Sequence, residues 1–136
     1  MYEKEITDDV VRYLSQIEGA TCIPYDDFTE PRDNAMIIVG IDDTEQVNFG
    51  LDDFRYSMTV LIDVMIDSDK DGALMDSIKD AVLDVLHPIF DDPERFSDIF
   101  ADLDRIVFFH FGGMSASVVD RQSLTEIKIE IIGSFN

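Results

Sequence analysis

The sequence predicts an α+β fold: a mostly antiparallel sheet of five to six strands, covered on one face by two main helices, plus one short helix. The first observation is the alternation in residues 54–66, where every even position is apolar. A period of two is typical of an antiparallel strand with one face buried and the other half-solvated. The second is the helical spacing of apolar residues in segments 6–17 and 74–89. Such a helix must bury its apolar stripe, and the apolar face of the sheet offers the surface for it.

The length of 136 residues and the hydrophobic content of 46% predict one domain, residues 1–136, with a single core. The sequence has no basic leader and no apolar run of membrane-spanning length, which indicates a chain that stays inside the cell and does not contact a membrane. Cys22 is the single cysteine, so no internal disulfide or cysteine-based zinc site can form. We expect it to be a small apolar filler in an early strand.

The unusual property is a formal net charge of −20, from 30 acidic and 10 basic residues. A field of this sign repels phosphate backbones and disfavours nucleic-acid binding through a basic surface. Three interpretations remain open: adaptation to a saline environment, a lumen through which DNA slides without sticking, and mimicry of DNA on the surface of an inhibitor.

The N-terminal third predicts a helix and two strands. Residues 5–18 form the helix, with Thr7 as its N-cap and Gly19 just beyond its end. Residues 21–25 predict a short strand that Pro24 confines to a sheet edge or a bulge. A second strand follows at residues 35–41.

Residues 42–53 predict a long loop or a hairpin arm that joins two strands. Val47, Phe49 and Leu51 alternate within this acidic stretch. They either dock on a partner or fold back onto the core, and the pattern leaves both open. Together with Tyr25, they are the candidate residues for contact with another subunit or another partner protein.

The C-terminal half predicts two helices followed by strands. The first runs from about Ala73 until Pro88 ends it, and the second is short and capped by Asp92. Gly112 and Gly113 predict a turn. The three strands are expected at residues 106–111, 114–119 and 124–132.

Asp67, Asp69 and Asp71 make an acidic turn ahead of Gly72. Carboxylates at alternate positions begin a calcium loop, but the twelfth position would be Ile78, where a bidentate Glu is required. Capping of the following helix is therefore favoured over a metal site. The same three residues are candidates for an acidic surface that lines a lumen.

No constellation in the sequence specifies a reaction, so we expect no enzyme, no catalytic residues, no metal and no cofactor. The serines stand in no nucleophile motif, and the sequence has no Gly-rich phosphate loop. His110 has no carboxylate, cysteine or second histidine at ligand spacing, which favours a histidine paired within the fold.

The order of elements resembles the tail-terminator (tail-completion) proteins of long-tailed bacteriophages. The resemblance is carried by the N-terminal helix around residues 10–17 and by the unit NFGLDDFRYSMTVLIDV at residues 48–64. A long central strand that leads into a covering helix, and a C-terminal strand pair, are also similar.

The resemblance implies a homo-oligomer, a six-fold ring that caps the tail tube, ends its polymerisation and joins it to the head connector or neck. DNA would pass through the lumen without specific binding. The protein would be assembled in the host cytoplasm and reside in the virion. The alternatives are an acidic inhibitor that mimics DNA, another phage neck or head-completion protein, and a calcium-regulated binding module.

Overall fold

The computed structural model describes residues 2–31, 35–48, 54–67, 72–100, 106–119 and 121–133. Five strands form one sheet: β1 (Thr21–Pro24), β2 (Ala35–Asn48), β3 (Phe54–Asp67), β4 (Ile106–Val119) and β5 (Gln122–Gly133). Their order is β1-β2-β3-β5-β4, and all neighbours are antiparallel except β1 and β2. The predicted fold class is confirmed.

Two α-helices accompany the sheet, α1 (Tyr2–Leu14) and α2 (Gly72–Leu86). Short 3₁₀ helices lie at Tyr25–Asp27 and Pro93–Asp98, and the side chain of Asp92 caps the second one by accepting from the Glu94 backbone N–H. Among the described residues, no helix has the length and apolar character needed to cross a bilayer.

The two α-helices pack on the same face of the sheet, as predicted. α1 contacts β1 and β2, whereas α2 contacts β3 and β5. The alternate side chains of β3 on this face, from Met58 to Ile66, are at most 2% exposed. They form one core with the apolar stripes of both helices, which include Val10 and Val82. Burial of these stripes is the main force that holds the helices to the sheet.

The predicted boundaries of α1 are wrong at both ends. The helix begins at Tyr2, so Thr7 lies within it and cannot be its N-cap. Two glutamates in the first turn, Glu3 and Glu5, complement the positive end of the helix dipole. The helix ends at Leu14, and Gly19, with φ of 88°, lies in the turn that leads to β1.

A hydrogen bond joins α1 to the end of α2. The Tyr13 hydroxyl donates to the Val85 carbonyl oxygen at 2.8 Å, close to the last turn of α2. Replacing Tyr13 with Phe removes this donor, and we expect the free energy of unfolding to fall by about 1 kcal/mol. Urea denaturation would measure the loss. Tyr25→Phe is the matched control, because Tyr25 is 63% exposed, and it should change stability by less than about 0.5 kcal/mol.

Residues 42–48, predicted as a loop or hairpin arm, continue β2 as a strand. Their pairing with β3 extends to Asn48 opposite Phe54, with one register shift between Ile41 and Asp43. The hairpin-arm alternative is therefore confirmed for these residues, and the loop alternative is wrong for them. Acidic side chains favour a loop in a sequence-based prediction, but an exposed strand can also carry charged side chains on both faces.

The predicted turn at Gly112 and Gly113 is wrong, because β4 runs through both residues as a single strand. The register between β4 and β5 shifts between Phe111 and Gly113, which is a bulge. Gly113 has φ of 144°, a conformation that residues with a Cβ rarely adopt. A Cβ on Gly112 would lie 3.3 Å from the Lys128 carbonyl oxygen, tighter than an ordinary contact. The two glycines therefore allow a strand to continue through an irregularity.

Candidate functional site

The structure separates the candidate contact residues that it describes. Tyr25 is exposed in the first 3₁₀ helix and lies against Gly40, where a Cβ would stand 3.1 Å from the Tyr25 Cβ. Val47 is half-buried and pairs with Arg55 of β3. On β2 it lies seven residues after Gly40, the residue that Tyr25 contacts. At strand spacing this separation is about 20 Å. Phe49 and Leu51 lie outside the described residues.

The acidic turn is described only at its first residue. Asp67 ends β3 and is half-buried opposite Gln122 of β5. Asp69 and Asp71 lie outside the described residues, so the calcium and capping alternatives both stay predictions. In the described part of the chain, no three side chains of the His, Cys, Asp or Glu type converge as a metal site would require.

The first candidate surface is β4, an outer strand of the sheet. Only β5 pairs with it among the described strands, so one row of its backbone N–H and C=O groups faces away from β5. In this row the Phe109 carbonyl accepts from the Asp91 N–H at 2.9 Å, so the open part of the row lies beyond Phe109. Its 14 residues contain no Asp, Glu, Lys or Arg, the longest such run in the sequence. We call this strand, Ile106–Val119, the neutral edge.

The neutral edge also exposes apolar side chains. Phe111, Met114 and Val118 are 39%, 48% and 68% exposed and share one face of the strand, since their partners on β5 are on one face. Val107 and Val119 are exposed as well. Natural sheets normally protect an outer strand with lysine, proline or an inward-pointing charge. This strand has its bulges but none of those residues, which is typical of a surface that meets another protein.

The second candidate surface is a cleft of about 890 Å³ at the opposite margin of the sheet. It is lined by the start of α1, by the 3₁₀ helix at Tyr25–Asp27 and by residues 38–44 of β2. Seven acidic side chains and one lysine contribute to its lining. We call it the acidic cleft.

The lysine of the acidic cleft is exposed and pairs with a carboxylate of its own helix. Lys4 Nζ lies 2.8 Å from Asp8 Oδ2, one turn further along α1. This hydrogen bond and ion pair raise the pKa of Lys4, and Asp27 in the 3₁₀ helix raises it further through its charge.

Asp63 lines the same cleft from the sheet face that the helices do not cover. Its cross-strand neighbours are Ile38 on β2 and Glu126 on β5. Burial raises the pKa of Asp63 to about 7, with further contributions from the charge of Glu126 and a hydrogen bond to it. The Asp63 Oδ1 atom is buried and has no hydrogen-bond partner among the described residues.

Sequence reasoning missed both surfaces, although each had a signal. Asp63 is the single charged residue between Tyr56 and Ile66. A carboxylate in such an apolar run is unusual enough to mark the position. The sequence shows the neutral edge as an uncharged run in a chain of net charge −20. Only the strand order places this run at the margin of the sheet, where it is exposed.

Two other residues fulfil structural expectations. His110 Nδ1 lies 3.1 Å from Asp91 Oδ1, so this histidine is paired within the fold. Cys22 packs against the core, and burial raises the pKa of its thiol to about 12. The thiol therefore stays protonated, as expected of an apolar filler.

The sequence matches no protein-family model, and comparison with curated proteins finds no relative. The function is accordingly inferred from the two surfaces themselves.

Proposed function

We propose that the protein is a virion structural component of a long-tailed bacteriophage, a tail terminator that forms a ring of identical subunits. The ring caps the tail tube, ends its polymerisation and joins it to the head connector. The order of elements motivates the tail-terminator role, and the observation that supports assembly is the neutral edge, which supplies a surface for contact between subunits.

Electrostatics favour the neutral edge as the place where two copies meet. Each chain carries a formal charge of −20, so most of its surface repels an identical copy. The repulsion between carboxylates is smallest where they are absent, and β4 is the longest segment without them. Its exposed apolar row, including Met114 and Val118, gains free energy when it is removed from water.

The geometry of the sheet allows a ring built from head-to-tail contacts. The two margins of the sheet differ, because one is the neutral edge and the other carries the acidic cleft. Contact of the neutral edge with a different surface of the next copy is head-to-tail, and such contacts close into rings when the rotation permits. The remaining acidic surface would give the lumen a charge that lets DNA pass without binding.

Native mass spectrometry and negative-stain imaging of the purified chain test the proposal. We expect closed rings of six copies, and tubes of uniform, shorter length when the major tail-tube protein polymerises in the presence of the rings. A chain that stays monomeric at every concentration would contradict the assembly. Rings that leave tube length unchanged would contradict the capping role and indicate another neck protein.

A pair of charged substitutions tests the surface itself. In the double variant Met114→Lys and Val118→Lys, assembly would bury two ammonium groups, so we expect association to weaken at least about 100-fold. The matched control is Ser77→Lys with Ser97→Lys, which adds the same charge at two exposed positions of other elements. The control should form rings like the parent, with circular dichroism showing that both variants fold.

A further inference from the structure

From the acidic cleft we infer a second binding surface: it accepts an extended, basic segment of a partner protein, which adds a strand to the free edge of β2. The surface is separate from the neutral edge and lies at the other margin of the sheet. The inference rests on main-chain groups, on charge and on one unpartnered carboxylate oxygen.

The main-chain contribution comes from the shortness of β1. This strand has four residues and pairs with β2 only from Met36 to Val39. β2 continues to Asn48, and in the described part of the chain no strand lies beside it on that margin beyond Val39. The 3₁₀ helix at Tyr25–Asp27 packs beside Gly40, and beyond it the outward N–H and C=O groups of residues 42–48 can pair with an extended peptide, as in other strand-addition complexes.

The charge of the lining determines which segment fits. Seven acidic residues against one lysine make the cleft strongly negative. Asp42 and Asp43 lie on the free part of β2 itself, while Asp26 and Asp27 approach from the 3₁₀ helix. A segment with lysine or arginine at alternate positions would place cations beside carboxylates on both walls, as Lys4 is already placed beside Asp8 on one of them.

The half-buried carboxyl of Asp63 adds a negative group to the lining, and its Oδ1 atom has no hydrogen-bond partner among the described residues. A buried polar atom without a hydrogen bond is costly, and proteins leave few of them unpaired. Asp63 lines the cleft, with Ile38 and Leu61 as apolar neighbours in the lining. A long cationic side chain from the added strand can lay its methylene groups on the two apolar residues and donate to Asp63.

The same observations disfavour other occupants. Nucleic acids and anionic lipid surfaces carry phosphates that the cleft would repel. A second copy of this chain offers no suitable segment, because its ten basic residues are scattered and no two are adjacent or alternate. The basic segment must therefore belong to a different protein.

Fluorescence anisotropy with designed peptides tests the inference. The probe is a labelled peptide of about eight residues in which Arg and Thr alternate, long enough to span the free edge of β2. We expect saturable binding that weakens as salt is added. The same peptide with Glu in place of Arg should not bind, and binding of both peptides alike would overturn the inference.

Backbone methylation separates strand addition from simple charge attraction. Two forms of the Arg-Thr peptide carry N-methyl groups on either the odd or the even amides, so both keep every charge but each loses one row of donors. An added strand uses one row only, so we expect one form to bind at least about tenfold more weakly and the other to bind like the parent. Equal binding of all three peptides would show that charge alone attracts them and would overturn strand addition.

Substitutions in the protein locate the binding surface. Asp42→Asn with Asp43→Asn should weaken binding of the Arg-Thr peptide at least about tenfold, since both carboxylates lie on the free edge. The matched control, Asp80→Asn with Asp84→Asn, removes the same charge from exposed positions of α2 and should leave the affinity within about twofold. Equal weakening in both variants would assign the binding to net charge and contradict a defined cleft.

Discussion

Replacing Phe109 with Ala should lower the free energy of unfolding by about 3–5 kcal/mol, the largest effect of a single substitution that we expect in this chain. Phe109 is completely buried in β4. Its ring stacks on Phe90 with centroids 5.1 Å apart and meets Phe100 and Phe96 edge-on at 5.7 and 6.1 Å. Alanine would leave a cavity among these three rings and remove the aromatic contacts that join β4 to the segment after α2.

Thermal or urea unfolding measures this loss, at a protein concentration where the chain is monomeric. A loss of this size corresponds to a fall in melting temperature of roughly 10–20 °C for a domain of this length. Phe108→Ala is the control, because Phe108 is the adjacent residue and is only half-buried. It should cost about 1–2 kcal/mol. Equal losses in the two variants would contradict the central position of Phe109 in the aromatic cluster.

Replacing Asp63 with Asn should make the protein more stable, on the order of 2 kcal/mol at pH 8. Burial and the neighbouring Glu126 raise the pKa of Asp63 to about 7, against an ordinary value of 3.8. At pH 8 the native state must hold an ionised carboxylate in this unfavourable position, whereas the unfolded chain holds it in water. Asparagine has the same shape without the charge and can donate to Glu126.

The stabilising effect should shrink as the pH falls. Between pH 3.8 and 7 the native state binds the Asp63 proton more tightly than the unfolded chain does, so this group makes the parent more stable as the pH decreases through that range. We therefore expect the advantage of Asp63→Asn at pH 5 to be about half of that at pH 8, or less.

Urea denaturation of parent and variant at pH 5, 6.5 and 8 measures this dependence. Asp84→Asn removes the same charge from an exposed position of α2, and it controls for the general relief of repulsion in an acidic chain. Its effect should stay within about 0.5 kcal/mol at each pH. A stabilisation by Asp63→Asn that is independent of pH would contradict the raised pKa of Asp63.

The two binding proposals differ in how far the sequence could have led to them. The neutral edge is a property of composition, since residues 106–119 lack charge, and only its position at the sheet margin had to come from the fold. The acidic cleft had a signal in the sequence only at Asp63, and its other lining residues could not be grouped without the fold. It brings together residues from α1, the first 3₁₀ helix, β2 and β3, which are up to about sixty positions apart in the sequence, such as Glu3 and Asp63.

The sequence by itself determined the α+β class, the covered face of β3 and the apolar stripes of both helices, because a period of two or of 3.6 residues sorts side chains between core and water without further information. Only the tertiary structure decided that residues 42–48 extend β2 and that β4 continues through Gly112 and Gly113. Pairing with β3 and β5 satisfies the backbone hydrogen bonds of these segments, and that contribution outweighs the local preference of acids and glycines for turns. Tertiary structure likewise placed Asp63 beside Glu126, since a cross-strand neighbour is set by sheet register and not by distance along the chain.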